Sequence, residues 1–150
     1  MKSSACVDAN IIIKLVVEEA DSDRADALWE SWIRNDVRVI APSLLCYEVT
    51  AVLRKKVYRN QLSETVAGKR LSTALNLLDQ GVNLVVSTVE LHRRAWKLAH
   101  RFNRPTAYDA HYLALAEMDG CEFWTADERL YNSVKGGFTL IRWLGELTGQ

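Results

Sequence analysis

Short runs rich in β-branched and aromatic residues alternate with amphipathic helical patterns along the chain, and that alternation confines it to a parallel sheet wrapped by helices. The runs are Ser4 to Val7, Val37 to Ala41, Leu84 to Val86, Cys121 to Trp124 and Phe138 to Ile141, which suit strands buried on both faces. Between them Ala25, Leu28, Trp29 and Trp32 share one helical face, as do Leu45, Val49, Val52 and Leu53. Leu71, Ala74, Leu75 and Leu78 form a third such face, and Leu91, Ala95, Leu98 and Phe102 a fourth. Gly81, Gly120 and the pair Gly136-Gly137 punctuate helix ends, while Pro42 and Pro105 precede helix starts. The expected fold is α/β: a single three-layer domain over residues 1–150, with a central parallel sheet of four to five strands flanked by helices.

A chain of 150 residues is long enough to bury roughly 70% of its unfolded surface without a disulfide or structural metal. The 19 basic and 19 acidic side chains cancel, so bulk charge announces no nucleic-acid partner, although a local basic stripe would still serve one. The three cysteines, Cys6, Cys46 and Cys121, sit in apolar stretches without zinc or redox spacing and read as reduced core residues. The Met1-Lys2-Ser3 start lacks an apolar signal region, and no stretch approaches the ~18 apolar residues of a membrane helix. A soluble cytoplasmic protein is the expectation.

Chemistry in such a sheet collects at the carboxyl edge of its strands. Asp8 follows the first strand and Asp127 the fourth, while Glu48 and Asp109 fall in the opening turns of helices, which that topology brings to the same edge. Each acid also has a purely structural reading. Asp8 fits an N-cap, a role Asn10 would share, Thr106-x-x-Asp109 resembles a capping box, and Thr125-x-x-Glu128 resembles a better one that leaves Asp127 free. Glu48 has Leu44, Leu45, Ala51 and Val52 as its helical neighbours, so its charge needs a partner, either a basic side chain or a metal. If the acids converge they repel, by about 4 kcal/mol for a pair ~4 Å apart at an effective dielectric near 20. A divalent cation removes that penalty, and an all-oxygen donor set selects Mg²⁺ or Mn²⁺ over zinc.

Four segments then resemble, in order, the motifs of the PIN-domain family of metal-dependent ribonucleases, particularly the small VapC-type toxins of prokaryotic toxin–antitoxin pairs. They are Val7-Asp8-Ala9-Asn10, Pro42 to Val49 with Glu48, Tyr108 to Ala116 with Asp109, and Phe123-Trp124-Thr125-Ala126-Asp127. The resemblance runs end to end, with 21–36 and 59–104 matching only in outline. It implies that Asp8, Glu48, Asp109 and Asp127 are the catalytic and metal-binding quartet, with Asn10 and Thr125 as supporting polar groups. It further implies a PIN-like fold and hydrolysis of phosphodiester bonds in single-stranded or loop RNA. The bound Mg²⁺ or Mn²⁺ orients a water, lowers its pKa and stabilises charge on the phosphodiester. A cognate antitoxin and a homodimer are the partners it implies.

Rival readings separate on single residues. A haloacid-dehalogenase-like phosphatase wants a second acid two positions after the first, where this chain has Asn10, which cannot protonate a leaving group. A receiver domain wants a lysine ending its last strand, where this chain has Phe138-Thr139-Leu140-Ile141-Arg142. A standalone RNA-processing nuclease and a non-cleaving PIN-like binding module remain as alternatives. The basic clusters Arg54-Lys55-Lys56-Arg59 and Arg93, Arg94, Lys97, Arg101 and Arg104 fit either an RNA backbone or a solvated helix face. His92, His100 and His111 lack metal-ligand spacing, and the tryptophans read as core or subunit packing rather than base stacking.

Overall fold

The structure, a computed structural model, describes residues 2–148. Its elements follow as β1 (Ser4–Val7), α1 (Ala9–Val16), α2 (Ser22–Arg34), β2 (Arg38–Pro42), α3 (Leu44–Tyr58) and α4 (Glu64–Gly81). After these come β3 (Asn83–Val85), α5 (Val89–Arg101), α6 (Tyr108–Asp119), β4 (Glu122–Thr125), α7 (Glu128–Val134) and β5 (Ile141–Trp143). All strand pairs are parallel, in the order β3-β2-β1-β4-β5, and helices flank the sheet to give the expected three-layer α/β fold.

That order places β1 at the centre and positions the acids. From β1 the chain winds outward through β2 to β3, then returns past them through α5 and α6 to set β4 on the other side of β1. Where the winding reverses, the carboxyl ends of β1 and β4 diverge into different helices and leave a crevice between them. Val7 is in register with Trp124, and the Asp8 N–H extends the ladder by donating to the Trp124 carbonyl at 3.0 Å. Asp8 is therefore anchored by its backbone at the mouth of that crevice.

The core explains why each element holds its place. Ile11, Ile12 and Ile13 of α1 are all buried, and so are Ala110, Tyr112, Leu113, Ala114, Leu115 and Ala116 of α6. Such a helix has almost no solvent face, so its sequence shows little amphipathic period. Gly120 ends it in the left-handed conformation at φ 71°, as expected of a C-terminal glycine. Gly81 ends α4 for a different reason, since a Cβ there would meet the Trp29 ring at 2.9 Å.

Three expectations shift. The last strand is Ile141–Trp143 rather than Phe138 to Ile141, because Phe138 is a buried plug after α7 whose ring meets Phe102 edge-on at 6.5 Å. The third strand is Asn83–Val85 and forms an edge rather than a strand buried on both faces, with Leu84 38% exposed. Leu75 lies largely outside the α4 face it was assigned to, because only Ala74 and Leu78 turn fully into the core there.

Candidate active site

Asp8 occupies the N-cap position of α1, but its side chain caps nothing. Its Oδ2 instead accepts from Thr125 Oγ1 at 2.8 Å and from Asn10 Nδ2 at 3.3 Å. The Thr125 hydroxyl also accepts from Asn10 Nδ2 at 3.1 Å and from the Asp127 N–H at 3.0 Å, while Asn10 Oδ1 accepts from the Ala126 N–H at 2.9 Å. The proton and both lone pairs of one buried hydroxyl are thus used to staple the end of β1 to the end of β4. Asp8 is only 7% exposed, and burial pushes its pKa up to about 7, with the charges of Glu48 and Asp109 adding to the rise and the Thr125 bond opposing it.

Glu48 is half-buried on α3, between Leu45 and Val49, which face the core. Its neutral partner is Tyr112, whose hydroxyl donates to Oε1 at 2.6 Å. Tyr112 is fully buried and stacked on Phe123 with ring centroids 5.4 Å apart, so this donor is fixed by packing before any ligand arrives. Burial, together with the Asp8 and Glu48 charges, holds the phenol far above its ordinary range and keeps it a donor. Burial also raises the Glu48 carboxyl, which the Tyr112 bond opposes and the Asp109 charge reinforces. Tyr112 escaped the sequence reading, although its place three residues after Asp109 puts both on one face of α6.

The capping readings of the other two acids both change. Ala107, not Thr106, caps α6 without a side-chain bond, and Asp109 instead accepts through Oδ2 from Arg104 at 3.2 Å. Arg104 comes from the α5–α6 connection just after Asn103, which takes the left-handed conformation at φ 50°. The cap of α7 is Asp127 itself, whose Oδ1 accepts from the Leu130 N–H at 3.0 Å, because Thr125 is committed to the staple. Asp127 therefore caps a helix and faces the crevice at once. Asp127→Asn, a good N-cap, is expected to keep the parental melting temperature, whereas Asp127→Ala should lose about 1 kcal/mol in denaturant unfolding.

One cavity of about 450 Å³ is lined by Asp8, Glu48, Asp109 and Asp127, together with Asn10 and Lys14. Glu19, absent from the sequence reading, lines it as well, at a rim where Lys56 Nζ lies 2.6 Å and Lys14 Nζ 3.7 Å from its carboxylate. The histidines stay outside this lining. His111 Nδ1 donates to the Ala107 carbonyl, and its Nε2 meets His92 Nδ1 at 2.7 Å. Burial also pushes the Cys6 and Cys121 thiols up, Cys121 to about 12, so neither supplies a thiolate.

The sequence family described as PIN domain matches residues 5–135. The chain belongs to the PIN domain family. Among solved structures it resembles VapC20 of Mycobacterium tuberculosis, described as a Sarcin-Ricin loop cleaving toxin, with a TM-score of 0.68 and 18% identity over 89% of this chain and 95% of that one. PAE2754 from Pyrobaculum aerophilum matches with a TM-score of 0.63 and 21% identity over 93% and 83% of the two chains. A toxin–antitoxin complex from Klebsiella pneumoniae matches with a TM-score of 0.60 and 20% identity over 95% and 99%. No curated protein matches significantly.

The donors of this PIN domain suit a hard divalent cation. The cavity and its rim hold five carboxylates, of Asp8, Glu19, Glu48, Asp109 and Asp127, against three cations, Lys14, Lys56 and Arg104. Lys56 bonds Glu19 at 2.6 Å, Lys14 donates to the Ala20 carbonyl at 2.7 Å with Glu19 3.7 Å away, and the arginine bonds Asp109. Asp8 and Glu48 are left with hydroxyl and amide donors, which hydrogen-bond a charge without cancelling it. Among the described residues no three His, Cys, Asp or Glu side chains stand together as a finished ion site.

Proposed function

We propose that this PIN domain is a ribonuclease that hydrolyses phosphodiester bonds of single-stranded or loop RNA with Mg²⁺ or Mn²⁺ held by Asp8, Glu48, Asp109 and Asp127. The observation that carries the reading is that four carboxylates from four separate segments line one cavity, with the most buried of them pushed to about 7. A bound divalent cation supplies a water of lowered pKa and stabilises charge on the phosphodiester. The chain's own residues do the positioning. Thr125 and Asn10 fix the Asp8 carboxylate, Tyr112 aims Glu48, and the α7 cap orients Asp127. Arg104 holds Asp109 and brings a positive guanidinium to the edge of the acids, where a phosphate approaches.

The likeness to VapC20 and to the Klebsiella complex supports the finer reading that this is the toxin of a toxin–antitoxin module, working in the cytoplasm as a homodimer checked by a cognate antitoxin, with residues 1–150 as one nuclease domain. No helix of the described residues is long and apolar enough to cross a membrane. The test is cleavage of a labelled single-stranded RNA. Activity is expected with added Mg²⁺ or Mn²⁺ and is expected to vanish with excess chelator. Full activity surviving exhaustive chelation would overturn the metal-dependent reading.

A further inference from the structure

Helix α5 turns Leu91, Ala95 and Leu98 into the core and leaves Val89, Arg93, Trp96, Lys97 and His100 on the opposite side. Trp96 is 75% exposed, whereas the other four tryptophans are buried or half-buried. Val89, seven positions earlier on the same face, is 69% exposed, so a large ring, an aliphatic side chain and the two cations Arg93 and Lys97 share one side of the helix. Two shallow depressions share its ring. One, of about 430 Å³, lies among Val89, His92, Arg93 and Lys97; the other, of about 270 Å³, lies among Ala99, His100, Arg104 and Pro105. No carboxylate lines either one. The acid on α5, Glu90, is bonded to Arg94 at 2.9 Å, so it does not offset Arg93 and Lys97.

We infer that Trp96 is a base-stacking platform for the RNA strand, with Arg93 and Lys97 taking the flanking phosphates and Arg104 leading the strand into the acidic cavity. This rests on the ribonuclease reading. A planar apolar ring between cations at helical spacing matches a nucleotide, which offers a flat base and an anionic phosphate at each step. An apolar helix of a protein partner wants a longer apolar stripe than Val89 and Trp96, which here have His92, Arg93 and Lys97 beside them. Continuity with the reaction site comes from Arg104, which lines the second depression and bonds Asp109 at 3.2 Å. The chain's zero net charge does not show the stripe, because net charge sums over the whole surface and carries no information on where Arg93 and Lys97 stand.

The test is fluorescence anisotropy of a labelled single-stranded oligoribonucleotide in chelator, where binding is read without cleavage, with sedimentation of each protein run alongside. Trp96→Ala is expected to weaken binding by about 5- to 150-fold, the equivalent of ~1–3 kcal/mol for one stacked base, and Trp96→Phe to keep most of the affinity. Replacing Arg93 and Lys97 together by Ala should flatten the salt dependence of log K by about 1.4 in slope for a single strand, whereas Trp96→Ala should leave that slope unchanged. Trp96→Ala with parental RNA affinity overturns the platform alone, and loss of self-association at unchanged RNA affinity shows instead that the face joins two copies of this chain. A parent protein that binds no RNA in chelator and also cleaves none with added Mg²⁺ or Mn²⁺ overturns the ribonuclease reading along with it.

Discussion

The metal-free protein is expected to lose stability as the pH rises from about 4 through 7, and Asp8→Asn is expected to abolish most of that loss. The folded-state pKa of Asp8 is raised to about 7, chiefly by burial, against about 3.9 in the unfolded chain. Between those values the folded state binds more protons than the unfolded one, so the slope of unfolding free energy with pH is negative. Below the unfolded value the group has no effect. Above the folded value the penalty is complete, on the order of 4 kcal/mol for a shift of this size. Thr125 and Asn10 both donate to Oδ2, and an asparagine that presents its carbonyl oxygen there keeps both bonds. Denaturant melts of parent and variant at several pH values should therefore diverge above pH 5, with the variant the more stable at pH 8. Parallel curves would show that Asp8 is solvated and unstrained. Added Mn²⁺ should narrow the gap by stabilising the parent, and more strongly at high pH, because binding displaces the Asp8 proton.

Glu48→Gln is expected to fold normally and to lose at least about a hundred-fold in RNA cleavage. The amide oxygen keeps the bond from Tyr112 while the charge disappears, so the change is electrostatic rather than structural. Metal-ion catalysis supplies several kcal/mol of charge stabilisation, and each ~1.4 kcal/mol is tenfold in rate. Glu64→Gln in the first turn of α4, outside the cavity lining, is expected to cleave like the parent. Equal loss in both variants would mean a general defect in folding rather than a site.

The acids themselves were legible because each is tied to a local signal. Asp8 and Asp127 follow strands, and Glu48 sits among apolar residues at helical spacing. What was illegible is what holds them. Tyr112, Arg104 and the Glu19–Lys56 pair reach the cavity only because α3, α6 and the α1–α2 connection meet there, and the Lys56–Glu19 contact spans 37 positions of sequence. The capping readings failed for a related reason. Thr125 looks like a cap for α7, but its hydroxyl is fully used by Asp8, Asn10 and the Asp127 N–H, so the cap passes to Asp127. The fold class followed from the alternation of strand and helix patterns, whereas strand order did not, since β3 looks as buried as β2 until the sheet places it at an edge. Phe138 shows the same limit, because an apolar residue before a strand and one within it look alike when both are buried.

Titration calorimetry with Mn²⁺ at pH 8, on the parent and on Glu48→Gln, asks most directly whether the four carboxylates act as one cation site. The parent should bind Mn²⁺ saturably, with Asp8 already mostly ionised at this pH, and Glu48→Gln should bind at least about tenfold more weakly, the loss of ~1.4 kcal/mol or more from one missing charge. Equal Mn²⁺ affinity in the two proteins would contradict a shared site.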